Sequence, residues 1–235
     1  MSVSAIGFVR SCFKEKFGVP RQPGLISSVN ARLEFASPDD AADVCRGLKS
    51  VSHIWIVFLF HHCMEQRIRL SVRPPRMGGN RKLGVFATRS NYRPNPIGLS
   101  VVALAGVERG ERGASLLLKG ADLLDGTPVL DVKPYQSDSE AILAATTGYA
   151  GESPQSQFDV TFSPHAAQQC KYYEAQWPDL EALIVSVLSQ DPRPAYLNGA
   201  IGDRVFGIRL YELNICWSVP HLATIQVHSI GRVLS

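Results

Sequence analysis

The chain has 235 residues, 45% of them hydrophobic and 19% charged, with a formal net charge of +3. This composition excludes a disordered or fibrous chain and describes an ordinary globular protein of one or two domains, long enough to bury a core without disulfides or a structural metal. The five cysteines are odd in number and form no CxxC pair, which excludes a disulfide framework and suits reduced thiols.

Residues 3–9 read as an opening strand. Val29, Ala31, Leu33 and Phe35 then alternate with polar neighbours, the period of a half-buried strand. Ser37-Pro38-Asp39-Asp40 supplies an N-cap, a proline at the first helical position and acids in the first turn, and Gly47 stops the helix. The run at 53–60 is β-branched and aromatic and predicts a strand buried on both faces; it is too short to span a bilayer. Further strands are expected at 84–88, 97–107, 115–119 and 128–133. Many short strands with Gly and Pro turns predict a closed or strongly curved sheet rather than a βαβ stack.

Residues 136–157 are rich in Ser, Gly, Ala and Thr, show no apolar period, and read as a linker. Ser163-Pro164 caps a helix running to about residue 176, and Pro178-Asp179 starts another that ends near residue 190. Strands at 205–211, 213–219 and 222–230 follow. The expected fold is therefore mainly β with α+β: a barrel-like domain over 1–135, a linker at 136–157, and a small α+β domain over 158–235. The N-terminus has no basic start followed by an apolar stretch, so a secretory signal is not expected and the location is read as cytoplasmic, with no membrane partner.

Charge is distributed unevenly. Residues 66–107 contain no Asp or Glu but eight Arg or Lys, whereas residues 108–159 hold nine acidic and four basic side chains. A solvated surface normally mixes both signs, so an acid-free basic tract reads as a surface shaped for an anionic partner. Within it lies Arg89-Ser-Asn-Tyr-Arg93-Pro94-Asn95-Pro96-Ile-Gly98, where each proline fixes its own φ and restrains the residue before it. Held Arg and Asn side chains suit phosphate, carboxylate or base-edge recognition; the plainer reading is a rigid connection with solvated arginines. Upstream, Arg73-Pro-Pro-Arg76-Met-Gly-Gly-Asn-Arg81-Lys82 is a second basic loop, without the Lys-Ser/Thr ending of a P-loop. It suits an RNA backbone or is a plain exposed loop.

His61-His62-Cys63 ends the predicted strand at 53–60. Adjacent strand residues face opposite sides, so the two histidines are not expected to share a metal ion, and no metal is assigned. Asp125-Gly126 within Asp122-Leu-Leu-Asp125-Gly126-Thr127-Pro128 signals a tight turn, either a plain hairpin or one that binds a polar or cationic ligand. Asp131, Lys133 and Tyr135 alternate and share one side of a strand. In the C-terminal part, Gln190-Asp-Pro-Arg193-Pro-Ala-Tyr196 stiffens an arginine and an aromatic, which suits phosphate contact with base stacking, or a plain turn. The chain lacks a GxSxG elbow, an HExxH pair and a GxGxxG turn.

Taken together, GVFATRS and RPNPIGLS, the preceding VRPPRMGGN, LDGTPVLDVKPY, KEKFGVPRQPGL and QDPRPAY resemble the TrmO (TsaA-like) tRNA methyltransferases, in family order from about Lys14 to Tyr196. Asn91-Tyr92, between the ATRS and RPNPIG halves, departs from the pattern. The resemblance implies a single-sheeted β-barrel with a small C-terminal domain, assembled as a homodimer. It also implies S-adenosylmethionine-dependent N6-methylation of threonylcarbamoyladenosine on the 3′ side of the anticodon in tRNA, with the anticodon stem-loop as partner. Carried over by motif, the cofactor lies against Pro23, Gly24, Leu25, His61, His62, Arg89, Leu99, Leu124, Asp125, Gly126 and Thr127. The tRNA follows Arg73, Arg76, Arg81, Lys82 and Arg93, with Lys133, Tyr135, Arg193 and Tyr196 as further nucleotide-pocket candidates. Arg89 or Arg93 is expected to clamp the threonyl carboxylate. The base is unassigned; Asp125 is a candidate for it and equally for cofactor binding. Two rival classes stay open: a methyltransferase acting on a small metabolite, and a non-catalytic tRNA-binding module.

Overall fold

Alternation of inward apolar and outward polar side chains lets a run of strands cover its own core by rolling up, which removes both sheet edges. The computed structural model, which describes residues 2–37, 41–64, 67–74, 81–110, 113–146, 148, 158–193, 197 and 199–233, shows this in the first of two units. That unit comprises Met1–Ser11 and Arg21–Glu152; the second comprises Cys12–Pro20 and Ser153–Ser235. Unit one contains β1 (Gly7–Arg10), β2 (Asn30–Phe35), α1 (Ala41–Val44), β3 (His53–Leu59), β4 (Ser71–Val72), β5 (Leu83–Gly84), β6 (Ile97–Gly110), β7 (Gly113–Lys119), β8 (Pro128–Pro134) and α2 (Ser137–Glu140). Its closed barrel has the order β1-β2-β7-β6-β3-β8, every neighbour antiparallel.

The core is built from inward side chains such as Val9, Leu33, Ile54, Ile56, Leu116 and Val129. Strand β2 alternates as its sequence predicts, with Ala31 and Leu33 buried. Strand β3 differs from expectation: Ile54, Ile56 and Phe58 are buried, but Trp55, Val57 and Leu59 between them are only half-buried, because they point out of a barrel. Opposite β3, Gly98 of β6 pairs with Phe58, and an added Cβ there would lie 2.2 Å from Phe58 Cζ. The motif glycine is thus the floor on which a core ring rests. The strand expected at 84–88 is instead the end of β5 followed by a 3-10 turn, Val85–Ala87, closed where Thr88 Oγ1 donates to Val85 O at 2.9 Å.

In the second unit β9 (Asp159–Phe162), α3 (Pro164–Tyr173), α4 (Leu180–Leu188), β10 (Gly202–Leu210), β11 (Leu213–His221) and β12 (Thr224–Arg232) form a sheet ordered β10-β11-β12-β9 with two helices. Ser163 caps α3 as predicted, its hydroxyl accepting from Ala166 N at 3.1 Å, with Pro164 at the first helical position. Asp179 precedes α4 at φ 65 without a side-chain cap bond. The helices are shorter than expected, and β9, parallel to β12, was not expected at all. The segment Cys12–Pro20 joins this unit through buried Phe13, bridged to Leu210, and through Tyr211 N donating to Cys12 O at 2.7 Å. No helix among the described residues is long and apolar enough to cross a membrane.

Candidate functional site

In an all-antiparallel barrel, strand ends alternate between the two openings, so the topology decides which loops meet. One mouth of this barrel collects the C-terminal ends of β1, β7 and β3 and the N-terminal ends of β2, β6 and β8. The returning arm of the β1–β2 connection, the β3–β6 connection and the β7–β8 connection therefore share that mouth. They carry Pro23, Gly24 and Leu25; His61, His62, Arg89 and Arg93; and Leu124, Asp125, Gly126 and Thr127 respectively, with Leu99 at the start of β6. The connections and strand start that carry the cofactor candidates read from sequence thus lie at one end of the barrel.

Backbone bonds tie the 23–25 arm and the end of β1 to the β7–β8 connection. Gly24 N donates to Gly120 O at 2.9 Å, and a Cβ on Gly120 would lie 3.2 Å from Gly24 Cα, so the two chains approach closely. Gly126 takes a φ of 73, the left-handed value its tight turn requires, and donates from N to Val9 O at 2.8 Å, while Val9 N donates to Thr127 O at 3.0 Å. Ser11 locks the same turn twice: its hydroxyl donates to Leu123 O at 2.8 Å and its N–H to Asp125 Oδ1 at 3.0 Å. An added Cβ at either Gly24 or Gly126 would meet no atom within 4 Å, so both turns present backbone to open space.

Two polar residues that sequence reasoning passed over complete the mouth. Ser100, buried on the inner face of β6, donates from its hydroxyl to Asp122 Oδ1 on the β7–β8 connection. Burial pushes the Asp122 carboxyl up from its ordinary value, and the Ser100 hydrogen bond, its own backbone and the charge of Arg89 pull it part of the way back. The signal for Asp122 was faint: an acid between Ala121 and Leu123, both fully enclosed, where a surface acid would have polar neighbours.

The basic stretch after β5 is a braced loop. Arg93 Nη1 donates to Thr88 O at 3.3 Å and its guanidinium stands 5.9 Å from the Phe86 ring. Arg89 is exposed. The pair that departed from the family pattern anchors this loop: Asn91 Nδ2 donates to Cys63 Sγ at 2.8 Å, and the Arg69 guanidinium covers the Tyr92 ring at 4.4 Å. His61 and His62 sit on a 3-10 turn rather than a strand end, so the opposite-faces argument fails; their rings lie 4.2 Å apart, inclined by 41°. The short β4–β5 pair presents Arg73, Arg81 and Lys82, all exposed. Arg76 and Tyr196 lie outside the described residues.

Two nucleotide-pocket candidates of the barrel unit are not brought to the mouth. Lys133 and Tyr135 lie at the other end of β8, with Lys133 opposite Trp55 and Tyr135 N donating to His53 O, roughly 20 Å along the strand from Thr127. Lys133 is ion-paired with Asp131 at 2.8 Å on the barrel's outer face. Arg193 is a structural residue of the second unit: it is 2% exposed, and its guanidinium grips both carboxylate oxygens of Asp191 at 2.7 and 2.9 Å and donates to Ala200 O at 2.7 Å. A buried, engaged fork does not reach out to a phosphate.

The chain is similar to known proteins over nearly its whole length. The tRNA-methyltransferase O N-terminal domain matches residues 8–141 and the TrmO C-terminal domain matches residues 155–233. A tRNA (adenine(37)-N6)-methyltransferase of Escherichia coli (strain K12) is 46% identical over 214 residues, 91% of each chain. A putative S-adenosylmethionine-dependent methyltransferase of Pseudomonas aeruginosa is 47% identical over 231 residues, covering 98% of this chain and 97% of that one. The crystal structure of TrmO from Pseudomonas aeruginosa superposes with a TM-score of 0.81 at 39% identity, covering 98% of each chain. With both domains matched in order and relatives this similar end to end, the chain belongs to the tRNA-methyltransferase O family.

Proposed function

We propose that this protein is an S-adenosylmethionine-dependent tRNA methyltransferase acting on N6 of threonylcarbamoyladenosine on the 3′ side of the anticodon, giving N6-methyl-N6-threonylcarbamoyladenosine. The observation that carries the reading is the convergence, at one barrel mouth, of the 23–25 arm, the 124–127 turn, Leu99 and a basic rim.

The residues present fit the donor. The two glycine turns bordering open space offer backbone groups at close range, Leu99 offers an apolar side chain that is 46% exposed, and Asp125 offers a carboxylate fixed by Ser11. A ligand that is part nucleoside, part zwitterion and carries a cationic sulfur needs that mixture. When bound, S-adenosylmethionine supplies a methyl group already electrophilic on its sulfonium. The chain aligns the acceptor nitrogen and keeps water out; positioning of this kind contributes about 7–11 kcal/mol when the geometry is near-attack.

Arg89, exposed and at the mouth, takes the threonyl carboxylate, an anionic handle absent from plain adenosine. Arg93, already donating to Thr88 O, braces the loop from which Arg89 projects. The anticodon stem-loop runs along Arg73, Arg76, Arg81 and Lys82. Met64, Ile68, Leu70 and Phe86 on the β3–β6 connection are exposed, the last by 77%, and are the apolar side chains that a second copy covers in a homodimer. The enzyme works in the cytoplasm.

The test pairs calorimetry with a selectivity assay. Titration with S-adenosylmethionine gives saturable heat, and Arg89→Ala lowers the preference for threonylcarbamoylated over plain tRNA by roughly tenfold or more, as the loss of a charged hydrogen-bond partner implies. Absence of saturable binding, or an Arg89→Ala variant with unchanged preference, counts against the reading.

A further inference from the structure

The functional reading leaves the acceptor of the N6 proton unnamed. We infer that Asp122, held in place by Ser100, is the group that receives this proton, with Ser100 as its positioning residue. The inference rests on the function proposed above.

Four observations support it. Asp122 lies on the β7–β8 connection between Gly120, which bonds to the 23–25 arm, and the 124–127 turn, so it sits between the two stretches of backbone that line the mouth. It is anchored by Ser100 on the neighbouring strand β6, the inward neighbour of Leu99, and Ser100 is itself buried. Arg89, the arginine assigned to the threonyl carboxylate, is the cation whose charge Asp122 feels. Substrate carboxylate and proton acceptor would thus be referenced to the same side chain. Asp125, the other acid of this connection, is held by the Ser11 N–H and is the carboxylate already given to the donor.

The chemistry needs such a group. The N6 nitrogen of a carbamoylated adenosine carries one hydrogen and shares its lone pair with a carbonyl, so it attacks poorly while protonated. In the transfer, the N6 lone pair forms the new bond to the methyl carbon, the carbon–sulfur pair stays on sulfur as a neutral thioether, and the N6 proton passes to an Asp122 oxygen. Release of that proton from the carboxyl to water restores the carboxylate. Burial makes this carboxylate a stronger base than an exposed one, while the Ser100 hydrogen bond and the charge of Arg89 favour its ionised form. The carboxylate is the active form, so activity rises with pH through its pKa, and removing a hydrogen bond that lowers that pKa moves the rise upward.

The experiment measures single-turnover methyl transfer against pH for wild type, Asp122→Asn, Asp122→Glu and Ser100→Ala, with S-adenosylmethionine affinity and thermal melting followed in parallel. Asp122→Asn is expected to lose about 100-fold or more in rate, the usual share of a general base. Its donor affinity should stay within about threefold, and Asp122→Glu should recover part of the rate. Ser100→Ala should retain turnover with its acidic limb displaced to higher pH, a readout that a merely structural serine would not move. An Asp122→Asn variant at wild-type rate overturns the inference, as does one whose loss lies wholly in donor affinity. Should Asp122→Asn fail to fold, Ser100→Ala decides: an unmoved limb overturns the inference. A wild-type protein that transfers no methyl at all sinks the functional reading first, and this assignment with it.

Discussion

Replacing Arg193 by alanine tests whether this residue of the DPRPAY motif serves the fold or the RNA. In the structure it is 2% exposed, forks onto both oxygens of Asp191, donates to Ala200 O and stands 5.6 Å over the Phe158 ring. Alanine would remove all of these together and strand the Asp191 carboxylate, whose side chain is only 16% exposed, without its counter-charge. Breaking a buried pair from one side costs about 3–5 kcal/mol; because Asp191 retains some access to water, the lower end applies. For a unit of roughly 90 residues, about 3 kcal/mol corresponds to a melting shift of ~12 °C or more. The assay is calorimetric melting of the whole chain, with tRNA affinity measured well below the transition. The expected result is a large downward shift with affinity little changed, and Arg193→Lys intermediate because it keeps the charge but not the fork. A variant that melts within about 2 °C of wild type yet loses tRNA affinity by tenfold, near 1.4 kcal/mol, would refute the structural assignment.

Other perturbations reach other parts of the molecule. Gly98→Ala drives a methyl into the Phe58 ring, with Cζ, Cε2 and Cε1 at 2.2, 2.4 and 2.7 Å, and should cost about 1–3 kcal/mol in urea unfolding, relieved by a second change, Phe58→Leu; an unshifted midpoint would count against the packing described. Joint replacement of Arg73, Arg81 and Lys82 by alanine should lower the slope of log tRNA affinity against log salt by about 2, given ~0.7 per phosphate contact on a single strand; an unchanged slope would remove these residues from the RNA path. At alkaline pH, burial holds the Cys170 thiol up to about 12 and the Tyr211 hydroxyl up to about 12, above the 9.0 and 10.0 of the free groups. The unfolded chain therefore releases these protons first, and stability present below about pH 9 falls as pH climbs towards about 12. Urea midpoints from pH 8.5 upward check this, and Cys170→Ala with Tyr211→Phe should flatten the decline.

How far the sequence speaks depends on the range of the interaction behind each feature. Strand β2 is legible because Ala31 and Leu33 declare its inner face by period alone, and the cap of α3 because Ser163-Pro164 is a local device. Strand β3 was misjudged on one face, since Trp55, Val57 and Leu59 are apolar yet point outward, and composition cannot tell a two-sided sheet from a barrel wall. Residues 84–88 have strand-forming side chains, but the Thr88 hydroxyl bonds back onto Val85 O and curls the segment. The attachment of Cys12–Pro20 to the second unit rests on Phe13 meeting Leu210, far along the chain, and leaves no local trace. The motifs carrying the cofactor candidates lie on connections that open at one end of the barrel, a grouping set by strand order rather than by any single string. The partnership of Ser100 with Asp122 spans 22 positions and depends on the register of the β6–β7 pair, in which Ala103 faces Lys119, and no local pattern announces that register. Lys133 and Tyr135 shared a face with Asp131 as alternation predicted, but alternation does not say at which end of the barrel that face lies.

On this reading the loops gathered at one barrel mouth bring a sulfonium methyl donor to a threonylcarbamoylated adenosine in tRNA. Labelled methyl transfer from S-adenosylmethionine into two tRNA preparations, identical except for the threonylcarbamoyl group, tests it most directly. The account predicts label on N6 of the modified adenosine in one preparation and near-background incorporation in the other. Equal label in both, or none in either, would contradict it.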